Sequence, residues 1–248
     1  MNHIDLPGKL KPIREANFRE LYHQFLYLHC RDILQEVDPE YLSEEDTGLL
    51  VYCYIDDAAG ITYRPLKAAQ YDGEHLTYRD LSEQLENCLL RYHSTFMKQE
   101  YKMEDGGIFV FATVPDADHG FLNLNGEEID LDQFAEIETD IRNTYDLNND
   151  PTREILRSKQ FSYLDPYRNP AHPDQVMVVL FRPDVKPQGV WVRCEFEAEG
   201  EIFGTLMTEP KEYFQIKPGT VMGFIPYGEG DDMVLMATGH TSTRLTTD

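Results

Sequence analysis

Asp116, Asp118 and His119 fall within four positions just after the apolar run Gly107–Val114, and His172 sits in a proline-rich stretch further along the chain. Carboxylates beside an imidazole are the groups that take up and release protons in general acid–base catalysis, and they also bind divalent metals. The chemistry that would suit them is hydrolysis by a site assembled from dispersed Asp and His residues at a domain junction. We prefer a plainer reading of Asp116–His119, a polar turn at a strand end, because neither Asp118 nor His119 has a partner visible in the sequence. The acidic runs Glu44–Asp46, Asp56-Asp57, Glu127-Glu128 and Asp231-Asp232 also fall in or near expected turns, where carboxylates serve solvation and capping.

Other motifs fail on their spacing. Asp146, Asn148 and Asp150 put oxygen ligands at alternate positions, as a calcium loop does. The sixth position, however, is Pro151 where glycine is needed, and the twelfth is Arg157 where a bidentate glutamate is needed. No dinucleotide fingerprint, phosphate-binding loop, nucleophile elbow or zinc-protease helix motif occurs. Ser158-Lys159 lacks the spacing of a catalytic Ser–Lys pair. Cys30, Cys53, Cys88 and Cys194 form no CxxC pair and read as small buried apolar residues. No cofactor and no metal is expected. Trp191, the only tryptophan, alternates with Val190 and Val192 and so belongs to the other face of its strand. Exposed, it would anchor a protein partner; the alternative is that the N-terminal part covers it.

Composition narrows the partners. The chain has 248 residues, 41% of them hydrophobic, and a net charge of −23. That charge repels nucleic acid and anionic membrane, and it would attract a basic protein. The plainer reading of the charge is solubility alone. No run approaches the ~20 apolar residues that span a bilayer, and the first residues carry no apolar signal core. The expected location is the cytoplasm.

The elements that must position these residues read as α+β: N-terminal helices packed on a small antiparallel or mixed sheet, then a small antiparallel β unit. Phe18, Leu21, Phe25, Leu28 and Leu34 recur near helical spacing and predict a helix over Arg14–Val37. A second helix is expected over Leu76–Met97, capped by Thr77, and a third over Leu131–Tyr145. Leu49–Ile55 reads as a strand with a hairpin partner at Ile61–Leu66, where Pro65 would take the strand end or an edge. Gly107–Val114 reads as a further strand. The expected organisation is an N-terminal domain over 1–147, a connector over 148–174 and a β-rich domain over 175–248.

The last part carries the clearest pattern. Val190, Val192, Cys194 and Phe196 alternate with Trp191, Arg193 and Glu195; a turn at Gly200 leads to Ile202–Met207; Lys217-Pro218-Gly219 turns the chain into Val221–Ile225. Val176–Phe181 opens this unit and Met233–Thr238 closes it. Three pieces, Val190–Arg193, Gly204–Leu206 with Thr208–Pro210, and Ile216–Val221 with Phe224, resemble the bacterial YegJ-like domain of unknown function. Thr208 stands where that family usually has Asn, and Thr220 where it usually has Asp. The resemblance covers roughly 175–238 and brings no activity, cofactor or catalytic residue. It implies a bacterial protein, loosely associated with small acidic immunity proteins. Together these features lead to the expectation of a non-enzymatic protein-binding factor, immunity- or antitoxin-like, with a basic protein as partner.

Overall fold

The computed structural model describes residues 2–5, 8, 10–31, 43–56, 60–81, 109–110, 120–125, 132–143 and 159–241. The chain divides into two compact units, Met1–Tyr145 and Asp146–Asp248.

The first unit is built on an antiparallel sheet of eight strands: β1 (Asn2–Asp5), β2 (Lys11–Pro12), β3 (Gln24–His29), β4 (Gly48–Asp56), β5 (Gly60–Tyr71), β6 (His75–Asp80), β7 (Phe109–Val110) and β8 (Gly120–Asn123). The order is β1-β6-β5-β4-β3-β8-β2, with β7 also pairing with β5. Phe25 and Tyr27 of β3 join Leu50, Tyr52 and Tyr54 of β4 in one core cluster. Leu26 and Leu28 join Leu49, Val51 and Cys53 in another. Alternate residues of both strands thus feed opposite faces, so β3 and β4 are buried on both sides.

This arrangement overturns the expected N-terminal helices on a small sheet, and with them the α+β class: the described residues are mainly strand. In the described part of the predicted helix over Arg14–Val37, up to Arg31, a four-residue helix, α1 (Phe18–Leu21), is followed by β3; residues 32–37 lie outside the described residues. Asn17 caps α1 in a capping box, accepting from the Arg19 and Glu20 amides at 2.8 and 3.1 Å, while Glu20 accepts from the Asn17 amide at 2.9 Å. The chain then reverses at His23, whose φ of +56° is left-handed. Helical spacing misled because a strand buried on both faces shows no period-2 alternation: Phe25 and Leu28 lie on opposite faces of β3 rather than on one stripe. The helix expected from Leu76 begins instead as β6, where Leu76 and Tyr78 are buried; residues 82–97 lie outside the described residues. The third helix is present as a 3₁₀ turn at Asp132–Phe134 leading into α2 (Ala135–Ile141). Of the run Gly107–Val114, the described part, Phe109–Val110, is β7.

The second unit is a closed barrel of β9 (Gln175–Leu180), β10 (Gln188–Ala198), β11 (Glu201–Leu206), β12 (Val221–Tyr227) and β13 (Val234–Thr241). Sequential neighbours pair antiparallel, and the ring closes through a parallel β13–β9 contact, Leu235 with Val178 and Met236 with Val179. Val176, Val178, Leu180, Val190, Val192, Cys194, Ile202, Leu206, Met222, Phe224 and Leu235 fill the interior. The β10–β11 hairpin turns through Glu199 (φ +55°) and Gly200 (φ +83°), the two left-handed residues that a tight two-residue hairpin demands. Leu164, on a 3₁₀ turn over Ser162–Tyr167 within the stretch read as connector, is buried in the barrel core.

Candidate docking face of the barrel

In a small closed barrel, residues that alternate with the filling ones face outward. Several of these outward positions on β9, β12 and β13, with Trp191 on β10, are apolar. Met177 on β9 pairs with Trp191 on β10. Val179 pairs with Met236, Met236 with Ile225, and Val234 with Tyr227. Met177, Val179, Trp191, Val234 and Met236 are half-buried. Phe181, just past β9, is 55% exposed, Tyr227 is 59% exposed and Ile225 is 37% exposed. The Trp191 backbone is fixed on both sides, donating its amide to Thr208 Oγ1 at 3.0 Å and accepting from the Met207 amide at 2.8 Å.

The rest of the barrel exterior is polar. Arg193 donates to Glu195 Oε1 through Nε at 3.0 Å and Nη2 at 2.8 Å, and Thr205 donates to the same oxygen at 2.9 Å. Glu201 accepts from Thr238 and lies 2.9 Å from His240 Nδ1. Phe196 and Phe203 interrupt this sector as a stacked pair, centroids 4.9 Å apart. Phe196 was expected inside with Cys194. The β10–β11 register slips between those two residues, so Phe196 comes to lie opposite outward Phe203.

Of the acid–base candidates, only His172 lies among the described residues. Asp116, Asp118 and His119 lie outside the described residues. His172 is half-buried in a turn, its amide accepted by Asn169 Oδ1 at 3.2 Å and its carbonyl accepting from the Gln175 amide at 2.8 Å. Among the described residues no three His, Cys, Asp or Glu side chains are placed to hold a metal ion.

Two polar clusters that the sequence did not signal occur elsewhere. His23 Nδ1 lies 2.6 Å from the Tyr52 hydroxyl, which reaches Glu138 on α2 at 3.4 Å, and Arg142 donates to the same carboxylate at 2.9 Å. This chain fastens α2 to β4. Within the barrel unit, Lys159 Nζ stands 3.6 Å from Asp174, both buried, and Arg168 donates to Asp165 at 2.9 Å and to the Pro173 carbonyl at 2.8 Å. Burial raises the titration of the neighbouring Tyr163 phenol. These contacts hold the segment before β9 together, and the Asp174 carbonyl, accepting from the Cys194 amide at 2.9 Å, joins it to β10.

Of the docking face, sequence reading found only Trp191; Phe181, Ile225 and Tyr227 were missed. The signal for Tyr227 was its spacing: Ile225 and Tyr227 alternate with the buried Met222–Phe224 register yet are as apolar as the core positions.

No protein-family model, curated protein or solved structure matches this chain. No helix among the described residues is long and apolar enough to cross a membrane.

Proposed function

We propose that this protein is a non-enzymatic binding factor that docks a basic protein on the apolar face of its C-terminal barrel, an immunity- or antitoxin-like role. The observation that carries the reading is the exposure of Phe181, Ile225 and Tyr227 on a continuous apolar face that also contains Trp191. Aromatic side chains supply large contact area at low conformational cost and dominate protein interfaces. The net charge of −23 adds the second half of the reading, because an acidic binder steers a basic partner and speeds encounter more than it adds affinity. The YegJ-like resemblance is part of the same proposal. Its quoted pieces fall on β10, β11, the turn at Gly219 and β12, which are elements of this barrel.

The test is capture of basic proteins from a bacterial lysate by the full chain and by its Tyr227→Glu variant, at low and moderate salt. The reading requires a basic protein that is retained at low salt, is released as salt rises and is lost with Tyr227→Glu. A partner retained equally by both proteins would place binding elsewhere, and a partner of acidic character would remove the electrostatic half.

A further inference from the structure

Three methionines lie on the outside of the barrel. Met177 on β9 is registered opposite Trp191 on β10. Met207, directly after β11, donates its amide to the Trp191 carbonyl at 2.8 Å, so Trp191 has a methionine on the strand to either side. Met236 on β13 is registered with Ile225 on β12 and with Val179 on β9. Met207 is 42% exposed, and Met177 and Met236 are half-buried. Gly189 alternates with the inward Val190, and a Cβ on it would stand 2.7 Å from Met177 Sδ. The Met177 thioether therefore lies across the outer side of β10, in the place that glycine leaves open. A fourth barrel methionine, Met222, is only 4% exposed and packs in the interior. The apolar face thus carries three thioethers within reach of solvent, while the core keeps its own out of reach. Among apolar side chains the thioether is the type that peroxide converts into a polar one.

We infer that Met177, Met207 and Met236 are oxidation sites through which peroxide turns the docking face off. The inference rests on the proposed docking role of that face. In the step, the sulfur lone pair attacks one oxygen of hydrogen peroxide. An S–O bond forms as the O–O bond breaks, the sulfur loses two electrons, and the other oxygen leaves as water. The protein gains one oxygen atom and no charge. The new oxygen is a strong hydrogen-bond acceptor set in a surface of carbon and sulfur. A partner docked there would bury it without a donor, which costs more than the methionine contact gave. Sulfoxide reduction by the dedicated reductases restores the thioether, so the change is reversible.

The experiment treats the full chain with graded hydrogen peroxide and follows each methionine by peptide mass mapping. Nile red, a neutral dye, reads the apolar face without the net charge of −23 intervening. Fluorescence of Trp191, the only tryptophan, reports on its two methionine neighbours. Met177, Met207 and Met236 should gain oxygen before Met222, and Trp191 emission should change with them. Nile red affinity should fall about tenfold, the effect of one unpaired polar atom in an apolar contact, and methionine sulfoxide reductases should restore it. Met177→Leu, Met207→Leu and Met236→Leu combined keep the face apolar at similar volume, and this variant should bind the dye before and after peroxide alike. Met222→Leu should respond to peroxide as the unaltered chain does. The inference is overturned by Met222 oxidising as fast as the outer three, by a face that binds no dye, by dye affinity that survives their oxidation, or by an equal loss in the triple variant. Failure to capture a basic protein from lysate would end the docking reading alone, because the dye reads the face without a partner.

Discussion

Pro65 lies opposite Val51 at the point where the β4–β5 ladder slips, and Leu66 is the residue left over. Proline has no amide proton to give a ladder and is kept out of interior strands unless a bulge accepts it. β5 is an interior strand, paired with β4 on one side and with β6 and β7 on the other. Pro65 is therefore not at a strand end; it lies between the β7-paired Thr62–Tyr63 and the β6-paired Lys67–Tyr71, and the bulge makes room for it on the β4 side. Leu66, 8% exposed, packs in the same core as Tyr52 and Phe134.

Pro65→Ala should accordingly change stability by less than about 1 kcal/mol, while Leu66→Ala should cost about 2–5 kcal/mol through the cavity it leaves. Urea denaturation of the two variants decides the point; equal losses would mean that the proline ring itself, rather than the bulge residue, holds this part of the sheet.

Asp72 gives the β5–β6 turn a defined pH response. Its carboxylate accepts from the Glu74 amide, then the His75 amide and the His75 ring, and these bonds hold it down at about 2. A carboxyl whose folded value is depressed contributes stability above its unfolded value, and that contribution disappears as pH falls toward the folded value. The contribution should thus be complete above about pH 4 and be lost as the pH approaches 2. A side-chain carbon NMR titration should place the Asp72 midpoint near 2, and Asp72→Asn should abolish this component of acid sensitivity; an ordinary midpoint for Asp72 would count against the turn geometry.

Gly48, where β4 begins, leaves no space for a larger residue. A Cβ there would stand 2.0 Å from the Leu28 carbonyl oxygen and 2.9 Å from the Tyr27 ring. The backbone oxygen cannot swing aside, so Gly48→Ala should push β3 and β4 apart and cost about 2 kcal/mol or more. Thermal unfolding reads the loss. A neutral Gly48→Ala would show that these strands approach less closely than described.

Cys30, Cys53 and Cys194 are buried. Burial pushes the Cys53 thiol well above its ordinary range, and Tyr63, its partner across the ladder, is raised in the same way. The thiolate is the reactive form, so alkylation of these three in the native protein should be limited by unfolding. Peptide mapping after iodoacetamide treatment, with and without urea, measures this; rapid native labelling of Cys53 would contradict the burial.

Local chemistry made the barrel readable. Alternation in Val190–Cys194 and the turns at Gly200 and Gly219 reflect forces acting within a few residues, and those strands and turns lie where the sequence puts them. The Leu49–Ile55 run was equally plain, being too rich in β-branched and aromatic residues for another element. β3 was opaque because Phe25–Leu28 is buried on both faces, a property of the strands beside it and not of its own pattern. Phe196 was misplaced by a single-residue slip that no periodicity encodes. Trp191 could be singled out as a lone large aromatic on the outer face of its strand. Its companions Tyr227 and Val179 come together only through the barrel ring.

The parallel contact between β13 and β9 also sets an order of events in folding. Every other pairing in the barrel joins consecutive strands, the longest connection being residues 207–220 between β11 and β12, whereas Val178 must wait for Leu235. A chain emerging from the ribosome can form the hairpins of β9 to β12 as they appear, but it carries two open edges until β13 has been made, and its loop-closure entropy is spent last. Ring closure is then the slow, cooperative step, and the outer apolar positions of β9 and β13 become one surface only when it is complete.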